Sequence, residues 1–450
     1  MKRWKKWTLW ILGIFVLINV VILVWNRNII YLFMTADKIA GEKGVIPEQK
    51  SELKLLTKGD SDWVSWRGRD ESNQSSAGIT TDWSGGLKML WAADYLCQDD
   101  KSSTWSAPVI QGNRLVVMGR DKENDLVFCL DPESGNLLWQ GSYKKEASTS
   151  WGSGPRATCY IDDDCVYSFG KSGDLVCWKL LDGKKLWHKN VEDEGGQNPR
   201  WGHSSSPLVF GSIVIVQGGG TARTIAYDKI KGDVAWKLGS GSAGYAAVTH
   251  MELDGKKILL SFHGKGLSGI DPEKGEEIWD VPWKTPNDVN ATTPVSSGNA
   301  VFISSGYGTG CGLVKIKGNE ASLAWKNRVI ASHHSDPYII DGYIYGYSGQ
   351  SFQNKGVFKC VELETGKEKW SVKKAGWGTC LLADGYLLCM DIKGNLVLVK
   401  PDPEKFIKVT EMKKALGNIK GPVWTKPVVA NGRLFLRFKQ KLVCYRIKEN

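Results

Sequence analysis

The chain has 450 residues, with 51 Gly, 15 Pro, 21 Trp and 10 Cys; it is 42% hydrophobic, 24% charged and carries a net charge of +11. This composition excludes a disordered protein, a collagen and a small disulfide knot. Residues 1–60 hold ten Lys/Arg against five Asp/Glu and so supply +5, leaving +6 spread over 390 residues. That excess is too diffuse for a nucleic-acid-binding face, and no nucleic-acid partner is expected.

The first element in the chain is apolar. Trp7 to Trp25 is 19 residues without a charge. As a helix it would span about 28 Å, close to the hydrocarbon thickness of a bilayer. Lys2, Arg3, Lys5 and Lys6 precede it and only Arg27 follows closely. The positive-inside rule then places residues 1–6 as a cytoplasmic tail and the rest of the chain outside. A cleaved signal peptide is the alternative, but its apolar core is normally shorter and ends at a small-residue site. The reading is an uncleaved transmembrane signal anchor over 7–25. A polar juxtamembrane linker over 26–61 follows it, and the chain sits at a bacterial cell membrane with its bulk on the periplasmic side.

The remainder, 62–450, is a repeat. One phrase recurs: DPESGNLLW ending at Trp139, LDGKKLW at Trp187, DKIKGDVAW at Trp236, DPEKGEEIW at Trp279 and VELETGKEKW at Trp370. KGNEASLAW, ending at Trp325, is a looser copy; GLKMLW, ending at Trp91, keeps only the last part; DPEKFIKV, ending at Val409, is degenerate. The spacings from Trp91 to Trp370 are 48, 48, 49, 43, 46 and 45 residues. A fixed period of this length, filled with short strands, indicates a propeller or a similar array. Each phrase follows a pair of apolar runs joined by a tight turn, as in PVVANGRLFLR at 427–437 and CLLADGYLLCM at 380–390. Asn-Gly and Asp-Gly supply the positive φ such turns need. Three-strand units begin near residues 105, 155, 204, 246, 291, 334, 377 and 424. The expectation is an all-β, eight-bladed propeller of four-stranded antiparallel blades. A lone strand, Leu87 to Trp91, would complete the last blade and close the ring. The recurrent Trp is read as structural, packed between blades.

These phrases resemble the pyrroloquinoline-quinone (PQQ) repeat shared by quinoprotein alcohol dehydrogenases and the outer-membrane assembly propeller lipoprotein. The stretch from Trp63 to Trp83, WVSWRGRDESNQSSAGITTDW, is similar to the leader of bacterial PQQ-like propellers. The resemblance implies the fold directly. For an enzyme of the family it would further imply PQQ in the central funnel, a bound calcium and a catalytic Asp. The chain has no Cys-Cys pair and no C-x-x-C-H, and no residue can be assigned as calcium ligand or catalytic base.

Ligands of propellers usually meet loops at one mouth of the channel. The position three residues before the recurrent Pro carries Trp105, His334, Trp377 and Trp424, with Pro155, Ser204 and Ala291 in other units and the fourth unit too irregular to align. The four rings would form a stacking wall at a single mouth. His203, Asn290 and His333 sit one step earlier, and Arg156, Trp151, Trp201 and Tyr245 lie in the same loops. The site reading is a planar or glycan-like ligand held on Trp faces, with Arg156 and the histidines donating hydrogen bonds. The alternative is that the rings only fill the funnel. His333 and His334, if on a strand, would face opposite sides, leaving at most one to join Asp336 at a metal; no metal site is assigned.

Cys380 and Cys389 flank one tight turn symmetrically, and Cys159 and Cys165 flank another, so either pair could lie opposite across a hairpin; free buried thiols are the reading. Walker, H-E-x-x-H and G-x-S-x-G motifs are absent from the sequence. Two functions remain. One is a monomeric binding or scaffold module with an envelope protein or glycan partner. The other is a PQQ- and calcium-dependent alcohol or sugar dehydrogenase.

Overall fold

The computed structural model describes residues 46–49, 53–69, 71–146, 151–350 and 356–448. The expected tail and membrane span at 1–25 lie outside them. Among the described residues no helix is long and apolar enough to cross a membrane.

The described strands form eight sheets, in seven of which four sequential strands pair antiparallel. Blade 1 runs Val109–Gln111, Arg114–Arg120, Asn124–Leu130 and Leu137–Lys144. Blades 2 to 6 repeat that order, with inner strands Tyr160–Asp162, Leu208–Phe210, Thr249–Leu253, Val295–Ser297 and Tyr338–Ile340. Blade 7 starts with Gly378–Ala383. Blade 8 takes Val428–Ala430, Arg433–Phe438 and Lys441–Arg446 from the C-terminus and its fourth strand, Met89–Ala93, from near the N-terminus. The ring is closed as expected. The apolar clusters lie between blades: Val116, Cys129 and Trp139 of blade 1 pack with Ile161, Val166 and Trp178 of blade 2. The other clusters span later pairs of blades in the same way.

The recurrent Trp explains how one blade finds the next. Indole Nε1 of Trp91, Trp139, Trp187, Trp236, Trp325 and Trp370 each donates to a backbone carbonyl in the third-to-fourth-strand turn of the following blade, at 2.9–3.1 Å. In five of those turns a glycine at positive φ lies against the same ring: Gly135, Gly183, Gly232, Gly275 and Gly366. A β-bulge precedes the Trp position in all eight sheets and aims it outward. Two exceptions follow from the same geometry. Trp279 faces blade 5, whose looser copy is a tight hairpin between Gly310–Lys317 and Glu320–Asn327, and its Nε1 has no acceptor among the described residues. In blade 7 the bulge puts Thr410, one residue after Val409, at the Trp position. The next blade there has no third-to-fourth turn, because those strands come from opposite ends of the chain.

The stretch before blade 1 closes one end of the channel. Trp63 bridges Ile110 at the end of the blade 1 inner strand, and Val64 accepts from the Ile161 amide of blade 2. Gln74–Ser75 adds a parallel strand to Gly378–Ala383, and Ser75 Oγ donates to the Val429 carbonyl of blade 8. Asp62 accepts from the Gly112 amide and from Asn431, which lie in first-to-second-strand turns. This end of the channel is therefore capped by residues 62–69 and 71–75.

Candidate functional site

Seven inner strands begin four residues after one structural position; in blade 7 the strand starts earlier. Around the ring that position carries Trp105, Arg156, Ser204, Tyr245, Ala291, His334, Trp377 and Trp424. One assignment is thereby corrected and one gap filled. Arg156, not Pro155, represents blade 2, and Tyr245 represents the irregular fourth unit. All but Trp377 line one cavity of about 160 Å³. Side chains two residues further along share its direction, as strand alternation requires, and Ser206, Ala247 and Thr293 line it as well.

The expected wall forms. Trp105 and Trp424 have ring centroids 4.6 Å apart, Trp151 lies 5.4 Å from Trp424, and His334 lies 5.6 Å from Trp424. Trp105 is fixed by its Nε1, which donates to the Trp151 carbonyl at 3.1 Å. The arc continues through His333, 3.6 Å from His334, to Tyr307, 5.0 Å from His333. Opposed orientation of the two histidines is not observed. They lie in a bend before the strand Tyr338–Ile340, so strand alternation does not apply and their rings lie side by side. Asp336 is engaged elsewhere: its oxygens accept from Trp66 Nε1 at 2.8 Å and from the Thr293 amide at 2.7 Å.

Three expected residues support the wall from behind. Trp377 is fully buried and sits 6.1 Å edge-on to His334, on the same side of the ring as the others but outside the cavity lining. His203 is fully buried against Phe169 at 5.1 Å. Asn290 is a staple: Nδ2 donates to the His263 carbonyl, Oδ1 accepts from Ser305 Oγ, and its carbonyl accepts from the Tyr245 and Ala246 amides. It positions Tyr245 without lining the cavity.

Trp66 was not anticipated as a site residue. It comes from the cap and enters the cavity lining, held by Asp336 and Thr293 Oγ1, with Lys426 Nζ 4.2 Å from its ring. Its only sequence signal is the W-x-x-W spacing of the leader, far from the repeats it joins. Tyr307 was also missed, because it sits in the turn between the second and third strands of blade 5 and not before an inner strand.

The electrostatics are simple. Among the described residues Arg156 is the only Lys, Arg, Asp or Glu in the lining. Its Nη1 donates to the Trp201 carbonyl at 2.6 Å, and burial lowers its pKa to about 10. Lys171, whose Nζ donates to the Gly152 carbonyl, is lowered to about 7 by burial and then by Arg156. Burial brings His333 down to about 3 and holds His334 well below its ordinary value, so both rings are neutral at pH 7. Lys426, whose Nζ lies over the Trp66 ring, is lowered to about 7 by burial.

This donor set does not match PQQ with calcium. A fused three-ring tricarboxylate needs several cations, and calcium needs carboxylate oxygens. Among the described residues the lining offers one guanidinium and no carboxylate. Among the described residues no group of three His, Cys, Asp or Glu is placed to hold a metal.

The cysteines divide. Cys380 and Cys389 are directly opposite in register with Sγ atoms 3.3 Å apart, both as free thiols. Cys159 and Cys165 are not opposed: Cys165 faces Asp162, and Cys159 precedes its strand.

Comparison with known proteins fits the architecture. BamB from Moraxella catarrhalis is 15% identical with a TM-score of 0.57, over 81% of this chain and 98% of that one. Quinohemoprotein alcohol dehydrogenase from Comamonas testosteroni is 13% identical with a TM-score of 0.62, over 87% and 81%. The computationally designed Ika8 protein is 14% identical with a TM-score of 0.53, over 80% and 100%. At these identities the likeness concerns the fold alone. No curated protein matches. A family model described as outer membrane protein assembly factor BamB matches residues 123–372, more than half of the chain. With its PQQ-type repeats and ring of docked tryptophans, the chain belongs to that family.

Proposed function

We propose that the chain is a membrane-anchored binding or scaffold module on the extracytoplasmic side of a bacterial cell membrane, without dehydrogenase chemistry of its own. The donor set of the mouth carries this reading. Among the described residues, nine rings and one guanidinium line about 160 Å³, with no carboxylate there to hold calcium or to act as a base. Such a lining stacks flat groups; the bases it offers are His333 and His334, and burial lowers both. The apolar segment Trp7–Trp25 and the basic residues before it support the anchor. The family description, an outer-membrane protein assembly factor, supports a protein partner in the envelope.

The test is titration of the full chain with PQQ, with and without calcium, read by tryptophan fluorescence. Dye-linked oxidation of an alcohol and sugar panel is measured in parallel. The reading predicts neither calcium-dependent saturation nor turnover. Saturable, calcium-dependent binding with turnover would make the chain a quinoprotein dehydrogenase and overturn it.

A further inference from the structure

Blade 7 and the connectors on either side of it separate their charges. Residues 373–424 hold nine Lys against five Asp/Glu, +4 of the +6 carried beyond residue 60. Lys400, Lys405 and Lys408 lie in or beside turns at the capped end, and so do Asp384, Asp402 and Glu404. The mouth end carries Lys373, Lys374, Lys393, Lys413, Lys414 and Lys420, all exposed. Among the described residues none of these six is in an ion pair, and the acids around them are engaged. Asp391 accepts from the Lys393 and Asn395 amides at 2.8 and 2.9 Å. Glu411 pairs with Lys408 at 3.1 Å. Glu368, whose carboxylate Lys373 also faces, pairs with Lys359 at 2.6 Å.

Backbone hydrogen bonds hold the three lysine-bearing segments together. The Ala415 amide donates to the Gly394 carbonyl at 2.8 Å, and the Lys414 amide to Asn395 Oδ1 at 2.9 Å. The Val423 amide donates to the Ile392 carbonyl, and the Ile392 amide to the Trp377 carbonyl. Lys441 of blade 8 joins the same loop, its Nζ donating to the Leu416 carbonyl at 3.1 Å. The connectors that carry these lysines also deliver Trp377 and Trp424, so the basic rim borders the ring wall. Like charges fixed on adjoining loops repel one another, and an anion laid over them lowers that energy.

Three observations choose the anion. The six exposed cations are all Lys, whereas phosphate recognition favours the planar fork of Arg. They are spread over two connectors and a turn, which suits several carboxylates along a chain better than one compact ion. The chain reaches the propeller at the other end, where the Lys54 and Leu55 carbonyls accept from Arg114 and Asn113. The rim therefore lies away from the residues that lead to the proposed anchor, which disfavours a lipid surface. We infer that the blade 7 rim docks an acidic segment of a protein partner. The inference rests on the reading of the chain as a scaffold with an envelope protein partner, and adds where that partner sits and what charge it brings.

The test is fluorescence anisotropy of the full chain in nonionic detergent with a dye-labelled decapeptide of alternating Glu and Gly. A Gln-Gly decapeptide and an oligothymidylate of equal charge are the comparisons. In about 20 mM salt the acidic peptide should saturate with a Kd of about 100 μM or tighter. About 150 mM salt should weaken it about 10-fold, and the Gln peptide should not bind. A variant with Lys393→Gln, Lys413→Gln, Lys414→Gln and Lys420→Gln should weaken the acidic peptide about 10- to 100-fold. A matched variant with Lys184→Gln, Lys231→Gln, Lys274→Gln and Lys405→Gln removes four charges from exposed turns at the capped end; it should stay within about 2-fold of the parent. Circular dichroism and thermal melts check the fold of both variants, and the salt and Gln-peptide comparisons need only the parent. No saturation by the acidic peptide, equal binding of the Gln peptide or equal loss in both variants overturns the inference. So does oligothymidylate binding about 10-fold more tightly than the peptide, which would make the rim a phosphate surface. None of these outcomes bears on the PQQ titration, which decides the scaffold reading separately.

Discussion

Gly183 tests how the blades are joined. Its φ is +73°, and a Cβ built on it would lie 2.5 Å from Trp139 Cε3. Carbon atoms in contact normally keep about 3.5–4.0 Å, so the overlap is about 1 Å. The indole has nowhere to go: Trp139 is 3% exposed, and its Nε1 is held by the Leu180 carbonyl at 2.9 Å. Gly385 is the control, with φ +78° and nothing within 4 Å of its Cβ. Gly385→Ala therefore carries only the left-handed backbone cost, about 1–2 kcal/mol. Gly183→Ala carries that cost and an overpacking cost of about 1–3 kcal/mol, about 2–5 kcal/mol together. Urea unfolding of the full chain, followed by circular dichroism and fluorescence, compares the two at matched slope. If Gly183→Ala costs no more than Gly385→Ala, the tryptophan does not lock the blades as argued.

Two further predictions concern titration and oxidation. Burial brings His203 down to about 4 in the folded chain, against 6.5 when free. The unfolded chain then binds the extra proton between those values, so stability falls as pH drops from about 6.5 towards 4. Unfolding midpoints between pH 7 and 4.5 should fall more steeply for the parent than for His203→Asn; equal slopes would show that the histidine is not buried neutral. Cys380 and Cys389, opposed with Sγ atoms 3.3 Å apart, should join when the chain is treated with oxidised glutathione. That reaction moves two electrons to the glutathione disulfide and releases two glutathione thiols. Peptide mapping should find the Cys380–Cys389 link. Persistent free thiols at both would show that the hairpin cannot supply disulfide geometry.

The blade plan was legible because each copy writes its own local chemistry: an Asp-Gly or Asn-Gly turn, alternating strands, a Gly turn and a terminal Trp. Closure by the strand near Trp91 followed from counting unpaired strands. The site was readable wherever a Pro marked the inner strand, as at Trp105, His334 and Trp424. Tyr245 escaped alignment because its blade has Val248 in place of the Pro, and blade 2, with Cys159 in that place, was aligned one residue early, on Pro155 instead of Arg156. Trp66 escaped because its neighbours, Thr293 and Asp336, are more than two hundred residues away and only closure of the ring brings them together. His333 and His334 were misjudged in direction because the bend before a strand does not follow the strand period. His203, Asn290 and Trp377 occupy the right loops, but their side chains are fully buried, and sequence position does not separate a wall from its support.

The central claim is that the indole-rich mouth is a binding site without quinoprotein chemistry. Titration of the full chain with PQQ, with and without calcium, followed by tryptophan fluorescence and by dye-linked oxidation of alcohols and sugars, tests it most directly. The account predicts neither calcium-dependent saturation nor turnover. Saturable, calcium-dependent binding with turnover would contradict it.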